Sequence, residues 1–261
     1  MQIDFLFNDG KRKALTFSYD DGVVEDRQLI DVFNRYSMKC TFHLNSGLCE
    51  RERRIDQCDI ADLYTGHEVA CHSKTHPHLK NMSDIEVVQQ ILDNRRDLEK
   101  IVGYPVTGMS YPYGTYNSAV IDVLKKLGIA YSRTAMSTNK FITPNDFYQW
   151  HPTCHHNNAM DLTDNFLESS KNFELFYIWG HSYEFDRKDN WEDLEELCAK
   201  LSSKEDIWYA TNIEIYEYLQ AVKNLRFSVD RKIINNPSAC SVWMLIDGEV
   251  VELMAGQTMN F

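Results

Sequence analysis

The sequence predicts an α/β fold in which parallel strands close into a distorted (β/α) barrel of seven or eight units. Three observations predict it. Short β-rich runs alternate with amphipathic stretches from about residue 13 to residue 224 of the 261. The helical stretches between the runs are long enough to call for parallel pairing through right-handed crossovers. Seven or eight such units suit a closed barrel better than an open sheet, and about 250 residues commonly form one barrel domain.

Taken in order, "ALTFSY" reads as a strand and leads into a helix over Val24 to Tyr36, with Leu29, Ile30, Val32 and Phe33 on one face. "CTFHLN" is a second strand, followed by a helix around Ile60 to Tyr64. "HEVACH" is a third, followed by a long helix from Ser83 to Val102 that opens with a capping box of Ser83 and Glu86. "TGMSYP" precedes a helix from Ser118 to Leu127, which ends at Gly128. "IAYSRT", "FYQWHPT", "FELFYIWGH" and "IWYATN" continue the strands, with helices at Leu162 to Lys171, Trp191 to Leu201 and Ile213 to Val222. Residues 1–224 are therefore read as the barrel. Residues 225–261 are read as a β appendage packed on it, too small to stand alone. Its clearest part is a hairpin, "SVWMLIDGEVVELM", turning at Asp247-Gly248.

A net charge of -12 opposes nucleic acid as the main partner, because phosphate binding needs a basic face. The one dense basic run, "ERERRID" (Glu50 to Asp56), is broken by acids and reads as a solvated loop. The first residues lack the apolar stretch of a signal peptide, and no segment approaches the roughly 18 apolar residues of a membrane span. The seven cysteines show no paired spacing, and Cys40 and Cys71 sit in apolar runs as reduced core thiols would. The expectation is a cytoplasmic protein without nucleic-acid or membrane partners. The hairpin would either close the barrel or seal a contact with a second copy, which leaves a homo-oligomer open.

Three strand ends carry residues able to do chemistry: Asp20 and Asp21 after "ALTFSY", His72 and His76 after "EVAC", and His181 after "LFYIWG". Each alone is ordinary, since Asp before Gly is a common turn and strand-end histidines are usually satisfied polar residues. A barrel brings all three to one mouth. Two imidazoles and one carboxylate form a three-ligand set that leaves a fourth position for water, the pattern of a catalytic zinc site. A second carboxylate could take a proton from that water and a separate histidine could protonate a leaving group. This inventory describes metal-assisted hydrolysis. "WHPTCHHN" places His151, His155 and His156 near another strand end, where solvent-facing loop histidines are favoured over a second metal. Trp179, Tyr183 and Trp191 flank His181 and could line the mouth with aromatic faces or pack in the core, while Trp208 and Tyr209 are left to the core.

"TFSYDDG", "HSKTH", "SYPYG" and "IWGHSYEF", in that order, resemble the successive motifs of the polysaccharide deacetylase family, the NodB-homology domain or carbohydrate esterase family 4. The likeness runs from about Leu15 to His181. It implies a distorted barrel of the NodB-homology type and removal of acetyl groups from N-acetylated, or sometimes O-acetylated, sugars with one divalent metal. Zinc is the first expectation, with cobalt, nickel, manganese or iron as alternatives. Position by position, it implies Asp20 as general base, Asp21, His72 and His76 as metal ligands, and His181 as general acid. Pro112 and Tyr113 would shape the groove wall, with the Tyr113 N–H helping to hold the oxyanion.

Two positions depart from that pattern. Ser110 stands where the family has an arginine paired with the base, and Arg133 at the next strand end is the candidate to supply that charge. Gln149, in "DFYQW", stands where an aspartate orients the acid histidine. The leading expectation is a deacetylase of an acetylated sugar or oligosaccharide, acting in the cytoplasm on an imported oligosaccharide or a biosynthetic intermediate. The alternatives are a catalytically impaired carbohydrate-binding relative and an amidase acting on a small non-sugar amide.

Overall fold

The computed structural model describes residues 1–261. In chain order the elements are β1 (Ile3–Phe5), β2 (Lys13–Asp20), α1 (Asp26–Arg35), β3 (Cys40–Leu44), α2 (Ile60–Leu63), β4 (Glu68–Cys71), α3 (Asp84–Val102), β5 (Gly108–Ser110), α4 (Ser118–Lys126) and β6 (Tyr131–Arg133). They continue with β7 (Cys154–His155), α5 (Ala159–Glu168), β8 (Glu174–Gly180), α6 (Tyr183–Lys188), α7 (Trp191–Leu201), β9 (Ile207–Tyr209) and α8 (Asn212–Lys223). The appendage adds β10 (Arg226–Phe227), β11 (Ile233–Asn235), β12 (Val242–Ile246), β13 (Glu249–Leu253) and β14 (Thr258–Asn260).

Eight strands form one parallel sheet in the order β6-β5-β4-β3-β2-β8-β7, with β9 beside the first residues of β2. The sheet curls until the stretch 150–155 is bonded on both sides. The Trp150 N–H donates to the Ser132 carbonyl at 3.1 Å on one side, and the Thr153 N–H donates to the Tyr177 carbonyl at 2.8 Å on the other. The strand expected over "FYQWHPT" is interrupted. Phe147–Gln149 is a turn of 3₁₀ helix, and only Cys154–His155 pairs as a strand. Pro152 lacks the N–H that a continuous ladder would use.

Alternation along each strand sorts the side chains. Leu15, Phe17 and Tyr19 of β2, with Phe42, Val69, Met109, Phe176 and Ile178, face the helices and belong to the main apolar core. The intervening residues face the barrel interior, where Thr16, Ser18, Thr41, His43, Glu68 and Ser110 are buried polar side chains, while Ala14, Leu175 and Tyr177 join a second apolar cluster. At the barrel's lower end α8 enters as a plug: the Asn212 N–H donates to Thr41 Oγ1 at 2.9 Å, and the Ile213 N–H donates to Glu68 Oε2 at 2.8 Å. Thr16 donates to Asn212 Oδ1, and Tyr131 donates to Glu68 Oε1 at 2.6 Å. Burial pushes the Glu68 carboxyl up to about 7 despite these donors.

The capping box of α3 forms as read, Ser83 and Glu86 each satisfying the other's backbone N–H. The helix expected at Leu162 to Lys171 instead spans Ala159–Glu168, three residues earlier at each end. The hairpin at Asp247-Gly248 joins β12 to β13, with both turn residues at positive φ. The appendage is not confined to residues 225–261. β1 pairs antiparallel with β12, so the chain's first strand belongs to the same small sheet, and β10, β11 and β14 make another. No helix is long and apolar enough to cross a membrane.

Candidate active site

At the C-terminal ends of the strands, the inward alternation continues with Asp20, His43, His72, Ser110 and Arg133, all buried. β2 ends at Asp20, and the chain breaks direction at Asp21 (φ 87°) and Gly22 (φ 62°). Glycine suits the second position, where φ is positive and a Cβ would sit 3.0 Å from Leu44 Cδ2. Asp21 itself is held in the left-handed region, a conformation that costs on the order of 1–3 kcal/mol and concentrates at functional sites. The two carboxylates therefore leave the turn with different surroundings.

Asp20 is directed inward. The Arg133 guanidinium donates to its Oδ2, and Ser110 Oγ donates to its Oδ1 at 3.0 Å. His43 Nδ1 lies 3.4 Å from Oδ1. Burial works to raise the Asp20 pKa, but the Arg133 charge foremost, with the neighbouring histidines, holds it well below the usual carboxylate range. Arg133 also lies over the Trp179 ring, 4.6 Å from its centroid.

Asp21, His72 and His76 offer ligand atoms that all lie within 4.8 Å of one another. Asp21 Oδ1 is buried and makes no hydrogen bond. His72 Nδ1 lies 3.0 Å from the Ser110 carbonyl, which fixes the proton on Nδ1 and leaves Nε2 with a free lone pair. The "HSKTH" loop is held by Asn45, whose amide donates to the carbonyls of His72 and Ser73 at 2.5 and 2.9 Å. It is held again by Ser73 Oγ, which accepts from the His76 N–H. Ser73 and His76 both adopt positive φ. Burial lowers the pKa of both imidazoles, His76 to about 4, so both are neutral at pH 7 as ligands must be. An orphaned carboxylate oxygen, two neutral imidazoles and a fixed tautomer fit a divalent metal.

Pro112 is buried and Tyr113 exposed beside this set, the Tyr113 ring stacked on His78 at 3.9 Å and edge-on to His76 at 4.4 Å. Tyr113 is at φ 57°, and its N–H donates to no group of the chain. His181 follows β8. Its Nδ1 lies 2.7 Å from Glu184 Oε1 on the first turn of α6. Burial would lower its pKa, but the Glu184 hydrogen bond and the charges of Asp20 and Asp21 raise it above the ordinary value. The next residue, Ser182, donates to the buried Asp26 at 2.5 Å, and Tyr64 donates to the other oxygen of that carboxyl at 2.8 Å. Tyr183 stacks on His181 with centroids 5.0 Å apart.

Several readings need correction. Gln149 does not reach His181; it bonds Tyr116 and Asp146, and Glu184 takes the orienting position. The signal was a carboxylate three residues after the histidine, one turn along a helix. His155 and His156 are not solvent-facing loop residues. His156 is buried, its ring filling the space beside Gly180, where a Cβ would lie 2.0 Å from His156 Nδ1. The "ERERRID" stretch is a largely exposed loop, as read, but two of its arginines are engaged: Arg54 donates to the Asp21 carbonyl, with its guanidinium 3.6 Å from Asp21 Oδ1, and Arg53 pairs with Glu25. Trp191 packs on Phe185 at the edge of the core rather than at the mouth. His43, from "CTFHLN", was missed because one histidine on an alternating strand carries no motif.

Residues 7–132 match the polysaccharide deacetylase family model. The chain is 36% identical over 121 residues to the peptidoglycan-N-acetylglucosamine deacetylase PgdA of Listeria monocytogenes, which is 43% of this chain and 23% of that protein. It is 32% identical over 119 residues to the peptidoglycan-N-acetylmuramic acid deacetylase PdaC of Bacillus subtilis, 45% of this chain and 25% of that one. The chain thus spans about a quarter of the length of these curated relatives. Among solved structures, a Mycobacterium smegmatis chain assigned as a polysaccharide deacetylase superposes with a TM-score of 0.64 at 18% identity, over 83% of this chain and 93% of that one. The B. subtilis PdaC structure superposes with a TM-score of 0.53 at 22% identity, over 81% and 95%. Those superpositions extend the shared fold well past residue 132, and residues 7–132 are similar to the polysaccharide deacetylase family.

Proposed function

We propose that the chain is a metal-dependent deacetylase that hydrolyses the acetamido group of an N-acetylated amino sugar in an oligosaccharide or glycan. The observation that carries this is the convergence of Asp21, His72 and His76 beside a separately held Asp20. The relatives' names support the substrate class, since they act on N-acetylated residues of peptidoglycan.

Asp21, His72 and His76 would hold one divalent metal, zinc first, which when bound acidifies water and polarises the acetyl carbonyl. Asp20 stays ionised because Arg133 neutralises its field, and it accepts the proton of the attacking water. Ser110 bridges Asp20 and His72, its Oγ 3.0 Å from the first and 2.7 Å from Nδ1 of the second, so base and ligand keep a fixed spacing. The unpaired Tyr113 N–H donates to the carbonyl oxygen as negative charge develops there. His181, kept protonated by Glu184, gives its proton to the amine as the C–N bond breaks. The exposed Tyr113 ring, with Trp179 and Tyr183, offers apolar faces to a pyranose.

The two departures that motivated a catalytically impaired reading each have a replacement in the chain, Arg133 for the missing arginine and Glu184 for the missing aspartate. The test is a screen of the zinc-loaded protein for acetate release against N-acetylated and O-acetylated oligosaccharides. Release from N-acetylglucosamine oligomers is expected, and release from O-acetylated sugars alone, or from none, would overturn the proposal.

A further inference from the structure

A second group of ligating side chains lies on the far side of His181. His155 is the last residue of β7, His156 follows it, and Glu184 reaches back from α6. His155 Nε2 is 3.3 Å from Glu184 Oε1, and His156 Nε2 is 3.5 Å from Oε2. The three offer ligand atoms that all lie within 4.8 Å of one another. The decisive residue is His156. Its side chain is 2% exposed, it stacks on Phe185 at 4.2 Å, and neither ring nitrogen has a hydrogen-bond partner. Buried polar groups without partners are rare, and a bound ion or water is one way to satisfy them. A cavity of about 270 Å³ opens beside it, lined by His156, Asn157, Phe185, Asn190 and Leu197, and Asn190 Oδ1 there is also buried and unpartnered.

We propose that His155, His156 and Glu184 form a second divalent-metal site, and that filling it takes Glu184 away from His181. Two imidazoles and one carboxylate with an open fourth position suit zinc, and imidazole donors also accept cobalt or nickel. Ligation through His155 Nε2 puts the ring proton on Nδ1, which gives up the 3.3 Å bond that Nδ1 accepts from the Asn157 N–H. A cation bound here engages the carboxylate that now accepts from His181 Nδ1, so the ring loses the 2.7 Å contact that orients it. The switching arm rests on the role proposed above for His181, while the binding arm does not.

The test is a Zn²⁺ titration of the chelator-stripped full chain by calorimetry, repeated with Co²⁺ and followed by its visible absorption. Wild type is expected to bind two equivalents. His155→Gln and Glu184→Gln, both at partly exposed positions, are expected to bind one, and Asp21→Asn is expected to keep the second site while losing the first. Near-UV circular dichroism confirms that each variant is folded. In the acetate-release assay, zinc beyond one equivalent should lower the wild-type rate at least several-fold and leave the rate of His155→Gln unaffected. Wild type binding a single equivalent, or His155→Gln still binding two, overturns the second site. Asp21→Asn binding as many equivalents as wild type would instead count against the primary site.

Discussion

Arg133 is the sharpest point at which to perturb this structure. Its guanidinium and the Asp20 carboxylate are both almost wholly buried, with side-chain exposures of 1% and 4%. Replacing Arg133 with Met keeps much of the volume but leaves Asp20 with only neutral partners, Ser110 Oγ and His43. Breaking a buried ion pair by removing one member costs about 3–5 kcal/mol, because the surviving charge stays desolvated. The lost stacking of Arg133 on Trp179 adds about 0.5–1 kcal/mol. Arg133→Met is thus expected to lose about 4 kcal/mol. Asp20→Asn/Arg133→Met, with no charge left to strand, should recover most of it, a coupling of about 2–3 kcal/mol in the double-mutant cycle. The assay is urea unfolding of the chelator-stripped protein, read by tryptophan fluorescence from pH 3 to pH 8. The pair stabilises where the unfolded Asp20 would be ionised, so the deficit of Arg133→Met is greatest at neutral pH. It fades as pH falls through about 4 and below. A single variant within about 1 kcal/mol of wild type, or a double variant no better than the single, would refute the reasoning.

Glu184→Gln should lower kcat for acetate release by ~10- to 100-fold with little change in KM, a part of the ~10²–10⁴-fold that a general acid supplies. Because a protonated His181 is required and Gln cannot hold its pKa up against burial, the alkaline limb of the rate profile should move to lower pH; an unmoved limb would remove Glu184 from the mechanism. Glu68→Gln addresses the fold alone. Glu68 is held near 7 when folded and near 4.5 when unfolded, so its buried proton contributes stability fully present below about 4.5 and lost as pH rises through 7. That loss is about 3 kcal/mol, and Glu68→Gln should flatten the slope of unfolding free energy between pH 4.5 and 7; an unchanged slope contradicts the assignment. Asp26, held to about 7 by burial as well, keeps its own share of that slope in the variant.

The strands and most helices were legible because alternation and the 3.6-residue period are written in consecutive residues, as in β2 and α3. The site's charged strand ends were legible for the same reason: Asp20, His72, Arg133 and His181 each close an apolar run. What was hidden depends on contacts between segments far apart in sequence. β7 has only two paired residues, too few for a period, and its neighbour His156 looks polar until Gly180 opens a space for its ring. Glu184 sat inside a quoted motif, but its partnership with His181 needs the short helix α6, which six residues could not announce. Arg54 reaches Asp21 because Ile55 pairs with the Gly22 carbonyl, a link invisible in an acid-interrupted basic run. β1 joins the C-terminal sheet across nearly the whole chain, which no local pattern encodes.

The central claim is that Asp21, His72 and His76 hold the metal on which deacetylation depends. Its most direct test adds zinc stepwise to the stripped protein and follows acetate release from an N-acetylglucosamine oligomer, with Asp21→Asn measured in parallel. Release should begin near zero and climb in proportion to zinc up to the first equivalent, while Asp21→Asn stays flat throughout. Full release by the stripped protein, or an Asp21→Asn variant that responds to zinc as wild type does, would contradict it.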